Sequence, residues 1–400
     1  MLTSRQSDVG PRPSLHLRLY RLRKSFALFP GGKTAIAPDF LSPHYRWRTE
    51  KRAPVRRALD RLIARSFALW VGPRADRVAR RHRLGPDWVR PAISLARARM
   101  VDPNDLALFG IESADEARTY LRRYEYAAIN KLLNPAGWSD TCALTDKARF
   151  AERCAEAGLP HAETLAEVTG GEVRVRRLPD GFWLAAKLTD GDGGAGCRTF
   201  AIDRMPESHD EFVASICTLK LRRGARWLIQ PRLRNHPDLA VLGLDALLTV
   251  RLTTILDERG DPELVTSVLR LPRDPSSPVD NIKRGGLMAP VDPDTGRLGV
   301  ARTGRGLGEF VVHPETGVRI EGIALPGWPA ARALIARAHQ AFPEYVMIGW
   351  DVALTPDGPV LIEGNGKPCI IVAQRGHGTG IGATRFGHLI AHHLERLGYA

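Results

Sequence analysis

Three stretches carry side chains suited to chemistry. The first reads Trp350-Asp351-Val352-Ala353-Leu354-Thr355-Pro356-Asp357-Gly358-Pro359-Val360-Leu361-Ile362-Glu363-Gly364-Asn365. Pro356-Asp357-Gly358 has the chemistry of a type I turn closed by a left-handed glycine, which predicts a hairpin with a three-residue loop. That loop pairs Thr355 with Pro359, and counting back pairs Asp351 with Glu363. Strand alternation then puts Asn365 on the face of Glu363. Two carboxylates and an amide on one face are hard oxygen ligands suited to one or two Mg2+ ions shared with substrate phosphates. The expectation hangs on register, because a two-residue loop turns Asp351 to the other face. The bland alternative is a hairpin with surface acids, yet Val360, Leu361 and Ile362 are more apolar than a solvated hairpin needs.

The second stretch is Ala186-Lys187-Leu188-Thr189-Asp190-Gly191-Asp192-Gly193-Gly194-Ala195-Gly196. Small residues let backbone N–H groups approach phosphate oxygens, and a lysine at a strand end adds a point charge. A Walker A loop places its lysine after the glycines and opens a helix. Here the lysine comes first and Cys197-Arg198-Thr199-Phe200 continues as a strand, so the loop is expected at a hairpin tip, either as a flap over phosphates or as an ordinary flexible loop. The third stretch, Leu247–Thr254, alternates so that Thr249, Arg251 and Thr253 share one face. A mid-strand arginine among hydroxyls suits a transferred phosphoryl group or a substrate carboxylate, unless the face is simply exposed.

These residues need strands and helices to hold them. Residues 1–45 read as a loosely structured lead-in, and Arg52 to about Arg99 is helical. A further helix starts near Ser113, whose side chain is placed to cap it. Thr145 is the expected N-cap of a helix over Asp146–Ala157, closed by Gly158 and Pro160. Strands are expected at Glu172–Arg176, Phe182–Leu188, Arg198–Ile202 and Trp227–Gln230, with a helix over Ser208–Arg222. Leu247–Leu256 and Glu263–Leu271 read as an antiparallel pair, Trp328–Phe342 as a helix, Tyr345–Leu354 with Val360–Glu363 as a hairpin, and Ala383–Leu397 as the last helix. Hairpins interspersed with helices argue for an α+β fold with antiparallel sheets. The expected division is a basic helical region over 1–135, a small subdomain with the glycine flap over 136–226, and a C-terminal subdomain over 227–400.

At 400 residues and 44% hydrophobic, the chain can build a sizeable core. No run of about 18 apolar residues occurs, so no transmembrane segment is expected. The first residues lack the apolar stretch of a secretory signal. Five scattered cysteines without CxxC spacing argue against a disulfide framework and for a reducing cytoplasm. The net charge of +14 is uneven: residues 1–100 carry +17 and the rest −3. That basic quarter is either a dock for an anionic membrane, nucleic acid or acidic partner, or a solvated arginine-rich surface.

Taken in order, a helix lysine, a strand lysine with a glycine flap, a short apolar strand ending in Gln230, a strand arginine and Asp351 with Glu363-Gly364-Asn365 resemble the ATP-grasp superfamily. The likeness is greatest to its sugar-transfer-associated family, found near polysaccharide-synthesis functions. Leu247–Thr254, Val279-Asp280-Asn281 with Gly285-Gly286, and Gly349-Trp350-Asp351 through Asn365 carry it, over about residues 115–395. The resemblance implies two α+β subdomains gripping ATP. It assigns Lys147 and Lys187 to ATP, Gly193, Gly194 and Gly196 to the flap, and Gln230, Arg232 and Leu233 to the adenine slot. Asp351, Glu363 and Asn365 would hold Mg2+, while Arg251 and Asn281 would face the γ-phosphate and the acceptor. Two departures stand out: Pro231 follows the glutamine where an acid is common, and Asp190 and Asp192 put negative charge in a phosphate loop. The implied activity is ATP-dependent joining of a small or sugar-linked carboxylate to an amine through an acyl-phosphate. The alternatives are a small-molecule kinase on the same fold, or a basic membrane- or nucleic-acid-binding protein without catalysis.

Overall fold

The computed structural model describes residues 38–139, 141–189, 197–219, 221–222, 224–275, 285–304 and 306–400. The flap glycines Gly193, Gly194 and Gly196, together with Asn281, lie outside them. Proline at the first turn opens each of the leading helices, where its missing N–H costs nothing. These are α1 (Ser42–Glu50), α2 (Pro54–His82), α3 (Pro86–Arg99) and α4 (Pro103–Phe109). The short α5 (Ala114–Ala117) has Ser113 as its cap, accepting from the Glu116 N–H at 3.1 Å, and α6 (Arg123–Leu133) follows.

α7 (Lys147–Glu156) is capped by Asp146 rather than by the expected Thr145. The Asp146 carboxylate accepts from the N–H groups of Ala148 and Arg149, and a charged acceptor at a helix start also meets the dipole. Beyond it, five strands form one antiparallel sheet in the order β2-β1-β5-β3-β4. They are β1 (Ala166–Thr169), β2 (Glu172–Val175), β3 (Trp183–Leu188), β4 (Arg198–Ala201) and β5 (Trp227–Pro231). α8 (His209–Cys217) covers this sheet through Phe212 and Ile216. β5 is hydrogen-bonded between β1 and β3, so the small sheet reaches past the 226/227 division drawn from the sequence.

After α9 (Pro237–Gly243), the second sheet has seven strands in the order β10-β9-β8-β7-β6-β11-β12. They are β6 (Val250–Leu256), β7 (Pro262–Leu271), β8 (Leu287–Pro290), β9 (Ala301–Thr303), β10 (Glu309–Phe310), β11 (Met347–Thr355) and β12 (Gly358–Asn365). Alternation gives this sheet two unlike faces. Val250, Leu252, Leu269, Leu271, Leu287, Trp350 and Val352 point to one side and pack on Leu334, Ile335 and Ala338 of α10 (Trp328–Gln340). Leu252 is fully buried there, and cutting it to alanine would cost about 2–5 kcal/mol. The opposite face carries the charged residues described below, flanked by α11 (Ile370–His377) and α12 (Arg385–Arg396). This is an α+β arrangement, two antiparallel sheets preceded by a helical region, as the hairpins and helices of the sequence predict.

Candidate active site

The hairpin that was expected to have a three-residue loop turns in two. Thr355 pairs with Gly358 and Leu354 with Pro359, and Gly358 takes a φ of +114°, which a side chain would strain. By alternation alone this register would turn Asp351 away from Glu363. A bulge at Ile362 restores the pairing: Val352 faces Leu361, yet Asp351 faces Glu363. The loop length was wrong, and a compensating residue in the strand kept the two carboxylates together.

Asp351 is 2% exposed and is held by two arginines. Arg251, opposite it on β6, makes a two-pronged contact through Nε and Nη2, the latter at 3.1 Å. Arg270 of β7 donates from Nη2 at 2.8 Å. Burial alone would raise the carboxyl, but the Arg251 and Arg270 guanidiniums outweigh it and hold Asp351 well below the usual carboxylate range. Glu363 is half-buried and goes the other way. Burial and then the neighbouring Asp351 push its carboxyl up, and the two acids share a hydrogen bond. Lys147 at the start of α7 stands 3.8 Å from Glu363 Oε2 and pulls against that rise.

Small residues make this approach feasible. A Cβ on Gly364 would sit 2.5 Å from Leu144, so the glycine between Glu363 and Asn365 lets the segment leading into α7 lie against β12. Gly137 and Gly366 touch backbone to backbone, and Asn134 pins the same junction by donating to the carbonyls of Met347 and Gly366 at 2.8 and 2.7 Å. Gly349 leaves room for Pro368 and the Arg251 side chain. Asn365 lies two residues from Glu363 on β12, and its Oδ1 accepts the Lys367 N–H at 2.8 Å.

A second lysine, Lys187, lies on the small sheet. Lys187 is half-buried near the end of β3, opposite Leu228. Its charge and that of Lys147 both act on the Cys197 thiol at the foot of β4, which burial pushes up. The residues 160–162 tie the subdomains: Leu361 donates to the Pro160 carbonyl and accepts from Ala162, both at 2.9 Å. Gln230 is spent on the same junction, donating from Nε2 to the Ala162 carbonyl at 2.8 Å. Arg232 gives its backbone N–H to the Trp183 carbonyl, stacks on the Trp183 ring and pairs with Asp245. Leu233 follows, half-buried, beyond the end of β5.

The sequence pattern does not single out Arg270. Its signal is faint: it occupies the charged phase of β7 between Leu269 and Leu271, a phase shared with Val268. His339, by contrast, is structural: its ring meets Thr254 Oγ1 and the Tyr345 carbonyl, and burial lowers its pKa to about 4.

Among the described residues, no three His, Cys, Asp or Glu side chains converge. A cation here would be held by Asp351, Glu363 and the Asn365 amide, with phosphate and water oxygens completing the shell. Two acids forced together by a buried sheet face fit that use, and Mg2+ habitually takes only one or two carboxylates from protein. The fit needs Asp351 to share its oxygens with Arg251 and Arg270.

Among solved structures the chain is similar to the D-cycloserine synthetase DcsG (15% identity, TM-score 0.34, 64% of this chain and 70% of that one). It is similar to D-alanyl-alanine synthetase A from Vibrio cholerae (10%, 0.38, 65% and 66%) and to an L-amino acid ligase from Bacillus licheniformis (10%, 0.32, 56% and 40%). The chain spans between two fifths and seven tenths of those proteins. No curated protein matches the sequence. The model of one family matches residues 131–385, from the end of α6 to the start of α12 and across both sheets. With the flap strand, the Arg251 strand and the Asp351–Glu363 hairpin in that family's order, the chain belongs to the sugar-transfer associated ATP-grasp family.

Proposed function

We propose that the protein is an ATP-dependent ligase that joins a carboxylate to an amine through an acyl-phosphate. The observation that carries this is the pairing of Asp351 and Glu363 on one sheet face, ringed by Arg251, Arg270 and Lys147. Bound at Asp351, Glu363 and Asn365, Mg2+ would neutralise phosphate charge and orient the terminal phosphoryl group. Lys147 and Lys187 supply positive charge where the β- and γ-phosphates lie, and Gly193, Gly194 and Gly196 are assigned to closing over them. Gln230, Arg232 and Leu233 border the adenine side, with Leu233 rather than the engaged Gln230 and Arg232 groups the freest to meet the base. Asn281 is assigned to the acceptor side. Arg251, fixed by Asp351, faces the charge on the moving phosphoryl group.

A carboxylate oxygen of the acid attacks the γ-phosphorus, and the bond to ADP breaks. The amine then attacks the acyl carbon, phosphate leaves with the bonding pair, and the amine loses a proton. No protein nucleophile is required, so positioning and electrostatics supply the rate gain. ADP release is to be measured across candidate acids and amines, with mass detection of the product. Glu363→Gln or Lys187→Ala abolishes turnover while the fold survives, and wild-type-like turnover in either would remove the basis of this reading. ADP with free phosphate and a coupled product identifies a ligase, whereas ADP with a phosphorylated product identifies a kinase.

The family's sugar-transfer association supports a reaction in polysaccharide or cell-surface synthesis, and the exposed face of α2 supports contact with a membrane. Val55, Leu62 and Leu69 recur every seven residues and are 74%, 63% and 82% exposed. Arg61 and Arg65 are exposed, and Arg65, three residues after Leu62 and four before Leu69, borders that stripe. Exposed leucines flanked by arginines suit an anionic lipid surface better than nucleic acid, which has no use for the leucines. Among the described residues no helix is long and apolar enough to cross a membrane.

A further inference from the structure

The charged face of the seven-stranded sheet does not end at Arg270. Directly paired residues of an antiparallel sheet share a face. Arg270 pairs with Met288 of β8, and Met288 pairs with Arg302 of β9. Arg302 therefore points to the same side as Asp351, Arg251 and Arg270. It stands three strands from Arg251, on the order of 14 Å along the sheet.

There Arg302 meets two residues that no step above uses. Arg375 of α11 is 6% exposed, and Tyr120 of the helical region is 5% exposed. Both are delivered by a single clamp: the Gln374 amide donates to the Leu121 carbonyl at 3.0 Å and accepts the Leu121 N–H at 2.7 Å. Gly376 lets α11 close on Val268, the neighbour of Arg251, since a Cβ there would lie 2.7 Å from it. Gly378 does the same for the Arg302 guanidinium.

Donors are left over in this cluster. Arg375 gives Nε to the Thr303 carbonyl and Nη2 to the Gly306 carbonyl, at 3.2 and 3.0 Å. Arg302 gives Nε to Glu309 and Nη1 to the Gly376 carbonyl. Arg375 Nη1 and Arg302 Nη2 donate to no described residue. The buried Tyr120 hydroxyl has no hydrogen-bond partner at all among the described residues. A buried polar group left unpaired is costly and calls for an explanation. The surrounding charges are Arg302, Arg375, Glu116 and Glu309, with His377 close by on α11. The charges of both guanidiniums thus act on the Tyr120 hydroxyl, and of the two acids only Glu309 is bonded to one of them.

We propose that Tyr120, Arg302 and Arg375 form a second anion site, which holds a carboxylate or phosphate of the acid substrate while its reacting carboxylate lies beside Asp351 and Glu363. This rests on the ligase reading and deepens it: the substrate carries two anionic groups and is longer than a simple amino acid. The helical region then supplies part of the active site through Tyr120.

Binding of inorganic phosphate and of succinate to the full chain, without nucleotide, is to be measured by calorimetry. Tyr120→Phe removes a hydroxyl that bonds to no described residue, so a purely structural role predicts unchanged folding and unchanged binding. The proposal predicts unimpaired folding with binding weakened about tenfold, and about a hundredfold for Arg302→Gln. Preference for phosphate or for succinate distinguishes the two anions. Wild-type affinity in Tyr120→Phe, or no binding of either probe to the wild type, overturns the proposal even if ATP turnover is found. Probe binding sensitive to Tyr120→Phe, with no ADP release for any acid, sinks the ligase reading instead.

Discussion

Arg251 and Arg270 lie against the seven-stranded sheet with side chains 11% and 17% exposed, both bonded to Asp351, whereas Arg56, Arg57, Arg61 and Arg65 of α2 face water. Both groups enter the net charge of +14 in the same way. Their energetics differ. A buried guanidinium loses its hydration and is fixed by the one carboxylate it can reach, so it becomes a positioned charge. An arginine along an exposed helix keeps its water and its rotamers, and acts only as part of a long-range field. The overall charge reports on the second kind, and the strand alternation in Leu247–Thr254 on the first.

The sharpest way to break this contrast is to remove one buried guanidinium. Arg251→Met leaves Asp351 buried beside Arg270 alone, and stripping one partner from a buried pair costs about 3 kcal/mol. Chemical denaturation should show that loss, together with a collapse of ADP release. A stability change no larger than that of a surface variant would erase the distinction.

The acids respond to pH in opposite senses. Asp351 has a depressed native pKa, so its contribution is present above the ordinary carboxyl value of about 3.9 and is lost as pH falls through the native value. Glu363 has a raised native pKa. The native state holds its proton more firmly, so stability falls as pH rises from about 4.3 through that raised value, and the cost is full above it. Glu363→Gln abolishes that cost. Without divalent cation, the variant should melt higher than wild type at pH 7.5, by about 1–2 °C given the residue's partial exposure, and should show no gain near pH 4. Mg2+ should raise the wild type more than the variant. A variant that melts lower at pH 7.5 would mean that the Lys147 contact outweighs the strain between the acids.

What could be read from the sequence follows the same division. Periodicity gave the hairpin pairs β6–β7 and β11–β12, because their apolar phase faces α10 with no competing signal. Turn chemistry around Pro356-Asp357-Gly358 pointed to a hairpin but left its loop length open to a one-residue error. Nothing local marks Ile362 as a bulge, since it ends the apolar run Val360-Leu361-Ile362. β8, β9 and β10 are two to four residues long and went unseen, too short for alternation to show. Gln230 fits an adenine slot by its place in the order, yet a buried amide bonds whatever carbonyl lies nearest, here that of Ala162. Tyr120 reads as one more apolar position of a helix. The Gln374 clamp that fixes the neighbouring Leu121 backbone comes from 253 residues away, so nothing local reveals the buried hydroxyl.

The smallest effects belong to the exposed arginines. Arg61→Gln and Arg65→Gln should each shift folding stability by no more than about 0.5 kcal/mol, because neither side chain is desolvated. Their effect is expected on a surface instead. Co-sedimentation of the full chain with vesicles of phosphatidylglycerol and phosphatidylcholine should fall in the double variant, and fall again with added salt, since screening removes what the charges contribute. Leu62→Asp should weaken it with the arginines intact. Equal binding to neutral and anionic vesicles, or no loss in Leu62→Asp, would reduce these arginines to a solvated surface and leave the buried set as the only arginines with a task.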